Sequence, residues 1–172
     1  ENRLQRIRHS ILAIDDPAKI SIGNMIQYKA PWSDAAVVET ESADMILSQA
    51  VLQHVDDLEL TYSAMYQWLR KGGWMSHVID FKCMGSADTW DGHWTYSDAE
   101  WKIVRGRKSY LINREPCSTH LRLFREKQFE IICNDKMMSP STIGSKSRLA
   151  KRFRNMKEED LSISGVFVQA IK

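Results

Sequence analysis

The stretch Asp44-Met45-Ile46-Leu47-Ser48-Gln49-Ala50-Val51-Leu52-Gln53-His54-Val55-Asp56-Asp57 decides how the rest of the chain is read. Residues 44–48 form a short, nearly continuous apolar run, the pattern of a buried strand. Residues 49–55 read as a turn or short helix. Asp56-Asp57 then opens a helix whose apolar residues Leu58, Tyr62, Met65 and Leu69 share one face. The aspartates suit the positive end of the helix dipole and Arg70-Lys71 the negative end. Gly72-Gly73 is expected to stop the helix, and Trp74 to Phe81 reads as the next strand. Strand, helix and strand within so short a span make a βαβ unit, so the two strands run parallel with a right-handed crossover.

Working outward, Leu4, Ile7, Ile11 and Leu12 predict a first helix through about residue 13, ended before Asp15-Asp16-Pro17. Ile26–Tyr28 is a short strand candidate. Downstream, residues 82–116 form a polar and aromatic excursion containing Trp90, His93, Trp94, Tyr96, Trp101 and Tyr110. Within it Ser97 and Glu100 form a capping box for a helix over 97–104. A helix is expected over 118–127, a strand over 129–133, a basic helix over 146–156 and a final strand over 163–171. Gly165 is expected to mark a bulge in that strand.

Composition bounds function only loosely. The 172 residues are 43% hydrophobic and 27% charged with a net charge of +2, which is globular usage with no electrostatic bias toward one partner. No apolar run is long enough to cross a bilayer. Cys83, Cys117 and Cys133 are odd in number and widely spaced, against a disulfide framework or a zinc site. Free thiols suit a reducing cytoplasm, and no metal site is expected. The basic stretch 146–154 is offset by Glu158-Glu159-Asp160, which favours a solvated face over nucleic-acid binding.

Taken in order, residues 44–57 resemble the fourth-strand region of class I S-adenosylmethionine-dependent methyltransferases. There an aspartate opens the strand and a Glu-His-Val-like turn leads into the next helix. Leu69-Arg70-Lys71-Gly72-Gly73 is similar to the Leu-Lys-Pro-Gly-Gly that precedes the family's fifth strand, and the two C-terminal strands match its final antiparallel hairpin. Residues 90–96 and 111–116 look like a poorly characterised bacterial branch. Gln53 and Lys71 depart from the family's glutamate and proline. More serious, none of the eight glycines forms a GxG, so the glycine-rich cofactor loop has no match, nor has the acidic residue that grips the ribose. The resemblance implies an α/β fold: a partial Rossmann-like sheet, mostly parallel with a C-terminal antiparallel hairpin. It also implies that residues 1–172 are the C-terminal portion of one methyltransferase domain whose cofactor half lies upstream, and that this portion is inactive alone.

The resemblance places S-adenosylmethionine beyond the carboxyl ends of the strands. Trp32, Ser48, Gln49 and Ala50 are its candidate contacts. Packing is an equal alternative for Trp32, and turn hydrogen bonding for Ser48 and Gln49. His93 and Asp80 are the candidate catalytic bases. Asp80 can instead cap a turn, and His93 can belong to a small core. His54 and His77 are expected to be structural. Trp94, Tyr96, Asn113 and Arg114 are candidate acceptor contacts within an aromatic lid or insertion over 82–116, with a satellite core or an ion pair as the alternatives. The acceptor is expected to be a small molecule or glycan. The second hypothesis is a non-enzymatic Rossmann-like interaction module that dimerises through an open sheet edge.

Overall fold

A computed structural model describes residues 34–172 together with Asn2, Leu4, Gln5, Arg8 and Lys29. Leu4, Gln5 and Arg8 are helical, within the span of the helix predicted through about residue 13. The rest of that helix, the strand candidate Ile26–Tyr28 and Trp32 lie outside the described residues. The chain divides into residues 1–38 and 39–172. In the first unit, the Asp34 carboxylate accepts from the Ala36 N–H and caps a 3-10 turn over Ala35–Val37.

The second unit is built on four strands: β1 (Ala43–Gln49), β2 (Leu69–Asp80), β3 (Glu130–Met138) and β4 (Ile163–Ile171). Their order in the sheet is β1-β2-β4-β3, with β1 and β2 parallel and β4 antiparallel to both neighbours. The βαβ unit and the C-terminal antiparallel pair are therefore present. Helix α1 (Leu58–Trp68) makes the crossover, and Asp57 accepts from the Leu60 N–H at its start. Helix α2 (Asp98–Arg105) carries the expected Ser97/Glu100 capping box. Helix α3 (Cys117–Glu126) packs with α1 over one face of the sheet.

Burial alternates along β2, where Met75, His77 and Ile79 face the helices. Val166, Val168 and Ala170 of β4 are fully buried beside them. Tyr62, Met65, Leu123 and Phe124 close the core from the helix side, the Phe124 ring 4.9 Å from Tyr62 and 5.9 Å from Phe129. Each such buried side chain stabilises by roughly 1.5–3 kcal/mol relative to exposure.

Two expectations are corrected. Helix α1 ends at Trp68, ahead of Arg70-Lys71-Gly72-Gly73, because Leu69 is fully buried and already extended, paired with Ala43. The pairing then jumps from Ala43↔Leu69 to Met45↔Trp74, so the glycines sit in a bulge of β2 rather than in a helix cap. Gly72 has φ 73°, and a Cβ on Gly73 would fall 2.8 Å from the Arg70 carbonyl oxygen. The basic helix over 146–156 is replaced by two 3-10 turns, Lys146–Arg148 and Lys151–Phe153. Leu149, Phe153 and Met156 have helical spacing and are buried, but the Ala150 N–H donates to the Trp94 carbonyl instead of back along a helix. Gly165 pairs with Asp80 on β2 and with Met137 on β3, and the next β3 residue, Met138, pairs with Ile163, so β4 carries one extra residue, Ser164, directly beside Gly165, where the bulge was expected.

Candidate functional site

Strand β1 ends at Gln49, where Ala50 takes φ 53° and its N–H donates to the Val78 carbonyl at 2.8 Å. A left-handed alanine is strained, which marks a turn held by its surroundings. This turn sets Ser48, Gln49 and Ala50 beside the carboxyl end of the parallel neighbour β2. In open α/β sheets that is the ligand-binding end. Gln49 and Ala50 are exposed. The Ser48 hydroxyl shares a 2.7 Å hydrogen bond with Nδ1 of His77, its register partner on β2. Burial pushes the His77 pKa down to about 4, so its ring is neutral at physiological pH.

Beyond Ala50 the chain makes a 3-10 turn over Leu52–His54 that buries Leu52 and Gln53. Asn113 clamps this turn. Its Nδ2 donates to the Leu52 and Val55 carbonyls at 2.9 and 2.7 Å, and its backbone N–H to the Gln53 carbonyl at 2.7 Å. Its Oδ1 accepts from the Glu115 N–H. The 82–116 excursion is thereby fastened to the segment that follows β1. Oε1 of Gln53 and Nδ1 of His54 are buried beneath it without a hydrogen-bond partner.

The structure brings His93, Trp94, Tyr96 and Arg114 together, as parts of the fold rather than the walls of an opening. His93 is 1% exposed, its ring centroid 4.6 Å from that of Trp94. Burial, aided by the Arg114 charge, pushes its pKa down to about 3. A base must reach its substrate's proton, and this ring is enclosed. Trp94 is fully buried and donates Nε1–H to the Arg114 carbonyl at 3.0 Å. Arg114 donates to the Tyr96 carbonyl and to Asp98, both at 2.7 Å, and lies 4.8 Å from the Trp101 ring. The Tyr96 hydroxyl donates to the Ser86 carbonyl. Asp80 stands at the end of β2, half-buried, and its Oδ1 accepts from the Lys82 N–H at 2.8 Å.

Two polar centres had no signal in the sequence. Asp91 is fully buried and accepts hydrogen bonds from Thr89, Ser141 and Thr142, tying the excursion to the loop after β3. His120 is buried in the core, hydrogen-bonded through Nδ1 to the Tyr62 hydroxyl at 3.0 Å. Both depend on partners remote in sequence. Among the described residues no group of three or more His, Cys, Asp or Glu can hold a metal, and no helix is long and apolar enough to cross a membrane.

A family profile described as a methyltransferase domain matches residues 17–76, which span β1, α1 and the start of β2. A solved structure of a SAM-dependent methyltransferase from Methanosarcina mazei superposes with a TM-score of 0.57 at 15% identity, covering 96% of this chain and 76% of that one. The chain has the class I S-adenosylmethionine-dependent methyltransferase fold. A second methyltransferase of this kind, from Mesorhizobium loti, gives a TM-score of 0.50 at 16% identity, over 78% of this chain and 64% of that one. Phosphoethanolamine N-methyltransferase 2 of Haemonchus contortus, solved with S-adenosyl-L-methionine, gives 0.49 at 18% identity; the chain spans 36% of its length. No curated protein matches the chain. The methyltransferases it superposes on depend on S-adenosylmethionine. The Ser48 hydroxyl, the Gln49 amide and the small, left-handed Ala50 are polar or sterically open groups that fit one end of such a cofactor, whereas no GxG loop is present to fit the rest.

Proposed function

We propose that the whole protein is a cytoplasmic bacterial enzyme that transfers a methyl group from S-adenosylmethionine to a small-molecule or glycan acceptor. The observation that carries this reading is the left-handed Ala50 turn at the carboxyl ends of the adjacent parallel strands β1 and β2. Ser48, Gln49 and Ala50 would hold the methionine end of the cofactor. The cofactor supplies an electrophilic methyl on a sulfonium. Ala50 allows close backbone approach, and His77 holds the Ser48 hydroxyl in a fixed orientation through their shared hydrogen bond. Asp80 would orient the acceptor or take its proton. The enclosure of His93 favours Asp80 for that role. Trp94, Tyr96, Asn113 and Arg114 would frame the acceptor side through the rigid excursion they build, excluding water from the transfer.

These 172 residues supply no glycine-rich loop and are expected to be inactive alone. Calorimetric titration of S-adenosylhomocysteine into this chain and into one extended upstream tests the reading. Binding by the longer chain alone, weakened by Ser48→Ala, supports it. Binding by neither leaves the second reading, an interaction module pairing through β1. That strand is an edge among the described residues, with Leu47 70% and Met45 52% exposed. Light scattering that finds a monomer would remove that alternative.

A further inference from the structure

At the opposite edge of the sheet from β1, a cavity of about 540 Å³ lies between α3, β3 and the 3-10 turn Glu159–Ser162. Small-molecule sites typically enclose roughly 300–1,000 Å³. Asp160 lines it and is 3% exposed. One carboxylate oxygen, Oδ1, accepts from the Ser118 N–H at 2.9 Å and caps α3. The other, Oδ2, is buried without a hydrogen-bond partner. An unsatisfied buried carboxylate oxygen is costly, and a donor brought by a ligand removes that cost.

The neighbouring groups do not supply the donor. Lys136 is engaged by Glu159. The Cys117 thiol is pushed up to about 12, by burial first and by the Asp160 charge second, so it stays neutral and does not compete as an anion. Arg122 is engaged by Glu59 and Glu126. Arg125 and Lys157 are exposed at the cavity wall; among the described residues neither forms a salt bridge within 4.0 Å, and the Lys157 charge acts on Glu159 from longer range. The cavity thus joins a buried acceptor to an exposed wall on which Arg125 and Lys157 stand beside the Arg122–Glu126 and Lys136–Glu159 pairs.

We propose that this cavity binds a small organic acid bearing an ammonium or hydroxyl group, its donor on Oδ2 of Asp160 and its carboxylate or phosphate on Arg125 and Lys157. The site is separate from the carboxyl ends of β1 and β2, so its occupancy does not depend on the cofactor reading. The probe is 3-aminopropyl phosphate, titrated into the full chain while the amide resonances of Ser118 and Asn134 are followed by NMR. Saturable shifts are expected. Propyl phosphate, which lacks the amine, should bind at least about tenfold more weakly. Asp160→Asn keeps the cap on α3 but turns the free oxygen into a donor, and should weaken binding by a similar factor; Arg125→Gln, on the exposed wall, should weaken it without touching the core. No saturable shift, or equal binding of the two phosphates, overturns the proposal. If Asp160→Asn fails to fold, the comparison of the two phosphates and Arg125→Gln still decide.

Discussion

Asn113 offers the sharpest test of how the excursion is joined to the site, because one replacement deletes its side-chain hydrogen bonds and another keeps its shape while turning a donor into an acceptor. Its Nδ2 donates to two carbonyls, those of Leu52 and Val55, and its Oδ1 accepts from the Glu115 N–H. Asn113→Ala removes all three bonds and leaves two acceptors and one donor partly enclosed. At about 1 kcal/mol for each bond lost, the change costs roughly 3 kcal/mol. Asn113→Asp keeps the shape and the acceptor but sets a carboxylate oxygen where the amide stood, 2.9 and 2.7 Å from carbonyl oxygens. It should therefore destabilise at least as much as alanine at neutral pH, and recover in part as acid protonates the new carboxyl. Urea unfolding followed by circular dichroism reads both. With a slope of about 2 kcal/mol per molar urea, the alanine variant's midpoint should fall by roughly 1.5 M. An aspartate variant more stable than the alanine variant at neutral pH would refute the clamp, and so would an alanine variant indistinguishable from the parent.

The remaining predictions concern the bulge and the buried imidazoles. Gly73→Ala should destabilise more than Gly72→Ala in the same unfolding assay. A Cβ on Gly73 falls 2.8 Å from the Arg70 carbonyl oxygen, whereas Gly72 has open space and loses only the backbone freedom that φ 73° requires, about 1 kcal/mol; equal effects would count against the bulge. His77, His93 and His120 are held below their unfolded value of 6.5 by burial, His77 at about 4 and the other two at about 3. The unfolded chain therefore binds more protons between these values, so the stability from keeping the rings neutral is complete above about pH 6.5 and is lost as pH falls toward 3–4. Each histidine contributes a slope of up to about 1.4 kcal/mol per pH unit in that window. Unfolding midpoints that do not change between pH 7 and pH 5 would contradict this burial.

The local pattern determined much of the fold. The apolar run 44–48, the paired aspartates and the helical spacing of Leu58, Tyr62 and Met65 were enough for β1, the cap and α1, because each depends on neighbours within a turn or two, but the burial expected of 44–48 is not found: β1 is an edge among the described residues, with Met45 52% and Leu47 70% exposed. The Ser97/Glu100 box and the strand over 163–171 were legible for the same reason. Where a segment's backbone partners lie far away, the local signal misled. Helix α1 stops at Trp68 because Leu69 is claimed by pairing with Ala43, and the helical spacing of Leu149, Phe153 and Met156 is overridden because Trp94 captures the Ala150 N–H.

The candidate site divides along the same line. Ser48, Gln49, Ala50 and Asp80 could be placed at strand ends from the sequence, since strand direction follows from the βαβ unit. That His77 holds Ser48 was decided by strand register, and that His93, Trp94 and Arg114 face inward was decided by packing of the excursion. Composition shows that a segment is aromatic and polar, but only tertiary contacts fix which way its rings point. The sequence determined the order of elements and the chemistry available. The tertiary structure decided which of those groups are spent on holding the fold and which remain free, because burial and hydrogen-bond partnership arise between residues distant in the chain.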